Sequence, residues 1–153
     1  MDEEVKSILI VDDDEAILEV IKEIFEMEGF KVDTASTGQE AIEKSEARYY
    51  NLALLDIKLP DMEGTELLEK LHKEVPKMMK IMITGYPSLE NSVKSLNLGA
   101  DAYIMKPIEP EELLRVVRKK LKEQEEAERM SKEKMTEWIE TRIRKMEQKY
   151  QMT

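Results

Sequence analysis

Apolar and polar positions alternate between two regimes along this chain. Short apolar runs with little polar alternation occur at Ser7–Val11 (SILIV), at Leu52–Leu55 running into Asp56, and at Lys80–Thr84 (KIMIT). With Phe30–Ala35 and Ala100–Met105 (ADAYIM) they predict five strands, the first and third buried on both faces. Between them the period lengthens. Ile17, Leu18, Ile21, Ile24 and Phe25 recur at spacings of three and four, which predicts an amphipathic helix. Asp14 is placed to cap its start and Gly29 to stop it. Ser36-Thr37-Gly38 turns into a second helix with Ala41, Ile42, Ser45 and Ala47 on its packed side. Thr65–Glu74, carrying Leu67, Leu68 and Leu71, is a third helix, followed by Pro76. Ser88 caps a fourth, which holds Leu89, Val93 and Leu96 and stops at Gly99. A fifth opens near Pro110-Glu111, where a proline in the first turn and acids near the N-terminus both fit.

Strict alternation of strand and helix implies parallel strands, right-handed crossovers and helices on both faces. The fold class is therefore α/β, with a five-stranded sheet in the flavodoxin-like order 2-1-3-4-5 and an extended C-terminal helix. No helix breaker interrupts Pro110 to Tyr150, so a continuous helix would reach roughly 60 Å at 1.5 Å per residue. Leu113, Leu114, Val117 and Leu121 belong against the sheet. Lys122–Arg129 is nearly all charged, with only Ala127 apolar. Beyond it Met135, Trp138, Ile139, Ile143, Met146 and Tyr150 form a new apolar stripe, which something must cover. Ser131 is placed to cap a separate helix there. The heptads are too broken to read a coiled coil from the pattern. Residues 1–122 form the expected body and 123–153 a helical extension.

Composition narrows the class. The net charge of −10 is uneven: Met1–Pro110 holds 24 acidic and 12 basic residues, whereas Glu111–Thr153 holds 10 and 12. An acidic body argues against direct contact with nucleic acid. Mixed signs in the tail describe a solvated or paired helix, not a basic arm. The chain has no cysteine, hence no disulfide framework or thiolate zinc site. No apolar run approaches the ~20 residues of a membrane span, and the acidic opening MDEEVK is unlike a signal peptide. A soluble, intracellular protein is expected.

In an open parallel sheet, ligands sit just beyond the carboxyl ends of the strands. Those ends carry Asp12 and Asp13, Asp56, Thr84 and Lys106. In the predicted order strands 1, 3, 4 and 5 are neighbours, so these residues converge. Three carboxylates in one cleft need a cation, and hard oxygens suit Mg²⁺ or Mn²⁺ better than zinc. A lysine and a hydroxyl beside a metal-bound carboxylate suit a phosphoryl group, with a carboxylate as nucleophile.

ILIVDDD, LLDIKLPDMEG, IMITGYP and GADAYIMKP resemble, in order and separation, the signature stretches of the response-regulator receiver domain from about Val5 to Lys122. The resemblance implies that Asp56 accepts the phosphoryl group. It makes Asp13 a direct metal ligand and Asp12 one acting through water, with the Lys58 carbonyl completing the shell. Asp14 is left to the helix cap. Thr84 is the implied switch hydroxyl, Lys106 its lysine partner across a cis Lys106-Pro107 peptide, and Tyr103 the aromatic switch. The implied donor is a sensor histidine kinase or a small phosphodonor, and the output is altered protein contacts on the fourth helix–fifth strand–fifth helix face. The domain would catalyse only its own phosphorylation and dephosphorylation in the cytoplasm. Its effector is not named by the sequence, and a homodimer would use that face or the C-terminal helix.

Two positions depart from common patterns. Ala102 stands where a large DNA-binding subfamily has a second acid that builds a symmetric dimer. Lys58 and Tyr86 stand two residues beyond Asp56 and Thr84, and neither suits water positioning, so a longer-lived phosphate is expected. His72, the single histidine, reads as a surface residue. The leading expectation is a stand-alone receiver. The alternative is the receiver part of a longer transcriptional regulator, cut in its signalling helix. An aspartate-based phosphatase would show DxDx[TV], which Asp56-Ile57-Lys58 does not match.

Overall fold

The structure is a computed structural model and describes residues 4–71, 77–85 and 88–151. Tyr86, the His72–Glu74 end of the third predicted helix and Pro76 after it lie outside the described residues. Ten elements alternate: β1 (Ser7–Val11), α1 (Glu15–Met27), β2 (Lys31–Ala35), α2 (Gly38–Ala47), β3 (Leu52–Asp56), α3 (Gly64–Lys70), β4 (Met79–Thr84), α4 (Leu89–Asn97), β5 (Ala102–Met105) and α5 (Pro110–Gln151). The strands form one parallel sheet in the order β2-β1-β3-β4-β5, as predicted. By contacts the chain divides into two compact units, Met1–Leu121 and Lys122–Thr153.

Because successive strand residues point to opposite faces, each strand feeds two cores. Ile8, Ile10, Leu52, Leu54, Ile81 and Ile104 face α1 and the first turns of α5, against Leu18, Phe25, Leu113 and Val117. Leu9, Val11, Ala53, Leu55 and Met82 face the other way, against Ala41, Leu67 and Leu68 of α2 and α3.

The helix boundaries follow their capping chemistry. The Asp14 carboxylate accepts from the N–H groups of Ala16 (3.0 Å) and Ile17 (3.3 Å). Thr37 and Ser88 accept from Glu40 (3.1 Å) and Asn91 (3.0 Å). Gly29 (φ 90°) and Gly99 (φ 104°) end α1 and α4 in the left-handed region, where a side chain would be strained.

Several expectations shift. α3 ends at Lys70, short of Glu74, because Leu71 turns extended (ψ 156°) and is buried instead. β5 begins at Ala102, preceded by Asp101, whose N–H donates to the Lys80 carbonyl (2.7 Å) and whose carboxylate, in place of a backbone carbonyl, accepts from the Lys80 N–H (2.8 Å). Ala47 is exposed, one turn past the packed face of α2. α5 runs through Ser131 without a break, so no separate helix starts there. On α4, Leu89, Val93 and Leu96 are 81%, 47% and 53% exposed, and the buried residue is Ser95. No helix among the described residues is long and apolar enough to cross a membrane.

Candidate functional site

Three consecutive aspartates leave β1 and do three different things. The Asp12 N–H continues the ladder to the Ala35 carbonyl (3.1 Å), which turns its side chain inward at 4% exposure. Its Oδ1 accepts the Asp14 N–H (2.9 Å), tightening the turn into α1. Asp14 caps the helix, and Asp13 between them is exposed. On the neighbouring strand, β3 ends in Asp56, 8% exposed. Asp12 and Asp56 fall on the even-numbered positions of their strands, the alternation that faces α1 and α5.

The carboxylate oxygens of Asp12, Asp13 and Asp56 lie within 4.8 Å of one another. The Lys106 ammonium reaches in from the end of β5, 3.1 Å from Asp12 Oδ2 and 3.5 Å from Asp56 Oδ2. Burial and the Asp12 charge together raise the Asp56 pKa, opposed by Lys106 and by the Lys58 N–H. Burial alone would lower the Lys106 pKa, but its hydrogen bond to Asp12 and the charges of Asp12 and Asp56 outweigh it, and the net shift is upward. Three carboxylates against one ammonium leave a deficit of positive charge. A divalent ion that prefers hard oxygen ligands fits this donor set.

Thr84 is fully buried at the end of β4, one residue beyond Ile83, which lies opposite Asp56. Its carbonyl accepts the Lys106 N–H (2.7 Å), so hydroxyl-bearing strand and lysine-bearing loop are tied together. The Lys106-Pro107 peptide is cis, as the resemblance implied. Lys58 donates its N–H to Asp56 Oδ1 (3.3 Å), and its side chain is exposed. Tyr103 lies opposite Met82 within the α2–α3 side of the core. Its buried hydroxyl has no hydrogen-bond partner among the described residues, so it stands apart from the carboxylate cluster.

Two positioning residues stand out only in three dimensions. Gly64 begins α3 directly over the end of β3: a Cβ there would run into the Asp56 carbonyl oxygen and come within 2.9 Å of the Ile57 Cα. Its N–H also donates to the Ile57 carbonyl (2.7 Å). Asp61 reaches from the same loop to α2, accepting from the N–H groups of Gly38 (2.8 Å) and Gln39 (2.9 Å). Those two bonds hold its carboxyl below the usual range. In the sequence Leu59-Pro60-Asp61 and Gly64 mark a loop after the third strand, and no more is legible there because the contacts of Asp61 and Gly64 are remote.

The family profile of the response regulator receiver domain matches residues 8–118. A crystallised response regulator receiver domain protein (CheY-like) from Methanospirillum hungatei JF-1 is 62% identical, with a TM-score of 0.78, covering 81% of this chain and 99% of that one. The transcriptional regulatory protein SrrA of Staphylococcus aureus is 41% identical over 109 residues, which are 70% of this chain and 44% of SrrA. A response regulator from Burkholderia pseudomallei, crystallised with a phosphorylated aspartic acid, calcium ion and citrate, is 27% identical with a TM-score of 0.70 and covers 80% of this chain and 72% of that one. The chain spans about half the length of the curated relatives it matches. With the profile covering most of the chain and the sheet order agreeing, this chain belongs to the response regulator receiver domain family of two-component signalling.

Proposed function

We propose that this protein is a phosphorylation-operated switch in which Asp56 accepts a phosphoryl group from a histidine kinase. The observation that carries the reading is the convergence of Asp12, Asp13 and Asp56 on one point, with Lys106 beside two of them. The phosphorylated aspartic acid of the Burkholderia neighbour supports it.

In this reading an Asp56 carboxylate oxygen forms a bond to phosphorus as the P–N bond to the donor histidine breaks, and the imidazole leaves with the bonding pair. Asp12, Asp13, Asp56 and the Lys58 carbonyl would hold Mg²⁺ or Mn²⁺. When bound, the ion would neutralise phosphoryl oxygens and keep Asp56 ionised despite its burial. Lys106 exchanges its carboxylate contacts for a phosphoryl oxygen. The Thr84 hydroxyl donates to another, and Tyr103 follows into the space vacated. The exposed apolar residues of α4 then change their partner preference, because local charge biases a two-state surface. Hydrolysis by water closes the cycle, and such self-directed chemistry serves signalling in the cytoplasm, not metabolism.

A groove lined by Ile17, Val20, Ile24, Pro107 and Ile108 opens along α1 beside Lys106 and offers the kinase a docking surface next to Asp56. The output partner is an effector protein, and self-association uses the α4–β5–α5 face or the C-terminal helix. Residues 1–122 act as the receiver and 123–153 as the extension. A second reading, the receiver part of a longer transcriptional regulator, is favoured by the roughly doubled length of the relatives.

Intact mass after incubation with Mg²⁺ and acetyl phosphate tests the switch. One added phosphoryl group is expected, absent with EDTA and absent in Asp56→Asn. An adduct that survives in Asp56→Asn would overturn the assignment of the acceptor.

A further inference from the structure

The C-terminal unit carries an exposed apolar face. Met135, Trp138, Ile139, Ile143, Met146 and Tyr150 are each between 45% and 73% exposed. Large exposed apolar patches mark interaction sites. We infer that the Ile139–Tyr150 segment pairs with the same segment of a second copy, as a short parallel coiled coil.

The register follows from the spacing. Over the whole tail the heptads are broken, but Ile139, Ile143, Met146 and Tyr150 are separated by four, three and four residues. Ile139 and Met146 take the d positions, and Ile143 and Tyr150 the a positions. The charges beside this seam select the direction. Glu140 and Glu147 fall at e, Arg142 and Lys149 at g. In a parallel pair, g faces the e position five residues on, so Arg142 of each helix meets Glu147 of the other. In an antiparallel pair e faces e and g faces g, which sets Glu140 against Glu147 and Arg142 against Lys149. Parallel pairing joins opposite charges, and antiparallel pairing joins like ones.

These acids are available for the task. Upstream, Arg129 is paired along its own helix with Glu126 (2.8 Å) and Glu133 (2.6 Å), and Lys132 with Glu128 (3.4 Å). Among the described residues, Glu140 and Glu147 form no ion pair with their own helix. Arg142, at g, lies 4.8 Å from the ring centroid of Trp138, one turn earlier at c. Paired charges fill the solvated stretch, and unpaired ones flank the apolar stripe.

Sedimentation equilibrium of the full chain, with and without the Asp56→Asn change, tests this independently of phosphorylation. A dimer is expected in both. Ile139→Lys with Ile143→Lys should give a monomer whose receiver unfolds as before, since both side chains are exposed. Glu147→Lys should raise the dimer dissociation constant about tenfold, and adding Arg142→Glu should restore it. An antiparallel pair would instead be tightened by Glu147→Lys. Because the chain has no cysteine, Tyr150→Cys alone should form a disulfide-linked dimer on mild oxidation. In an antiparallel pair the two residues 150 would lie roughly 16 Å apart along the axis and would not cross-link. A monomer at all concentrations, a dimer that survives the double isoleucine change, or tightening by Glu147→Lys would overturn the inference.

Discussion

Asp12 and Asp56 illustrate what one residue gains from its place at a strand end. Both read as strand-terminal acids, and their alternation with the apolar residues before them shows that they share a face. Burial makes the ionised Asp56 costly, since its carboxyl pKa lies above the unfolded value. A raised acid pKa means that the folded state binds the proton more tightly, so this cost is present above the folded pKa and disappears as pH falls through it. Asp56→Asn is therefore expected to stabilise the metal-free protein by about 1 kcal/mol at neutral pH. Thermal unfolding of both proteins should show that advantage shrinking in acid. The opposite sign holds at Asp61, whose depressed pKa contributes stability that is lost as pH falls. Asp61→Asn should lower the melting temperature near neutrality and flatten the acid limb of the profile. Gly64 is the residue most hidden from sequence reasoning. Gly64→Ala should destabilise by about 2 kcal/mol, because backbone atoms at Asp56 and Ile57 cannot move aside cheaply. Chemical denaturation would measure that loss, and slower adduct formation would accompany it.

Among the elements, the helix starts were legible because their caps are local: Asp14, Thr37 and Ser88 each accept a hydrogen bond from residues two or three further on. Helix faces were less so. The leucine and valine spacing of α4 is that of a packed helix, yet Leu89, Val93 and Leu96 face outward while Ser95 is buried. Periodicity reports that an apolar face exists, not that this chain covers it. Leu96→Lys should thus alter stability by no more than about 0.5 kcal/mol. Leu68→Ala, on the fully buried face of α3, should cost about 3 kcal/mol. Urea titrations of the two variants give the contrast directly. The ends of α3 and β5 moved for a related reason: Leu71 leaves its local pattern for a buried core site, and the Asp101 carboxylate accepts from the Lys80 N–H in place of a backbone carbonyl.

For the whole molecule, the two units differ in what holds them. The first unit rests on a sheet with a core on each face, whereas residues 122–151 are the outer part of α5, whose large apolar residues are exposed. An isolated helix is marginal in water. Hydrogen exchange should therefore be fast over residues 122–151 in dilute protein and slow over β3. Protection should rise with protein concentration across residues 139–150 alone. The sequence by itself determined the alternation of elements, the sheet order, the caps and the identity of the strand-end residues, because period, capping and turn chemistry act within a few positions. Only the tertiary structure decided which carboxylates meet, how closely Lys106 approaches them, that Gly64 must lack a side chain and which helix faces stay bare. Those outcomes depend on residues far apart in sequence, up to 94 positions between Asp12 and Lys106, and no local pattern encodes that distance.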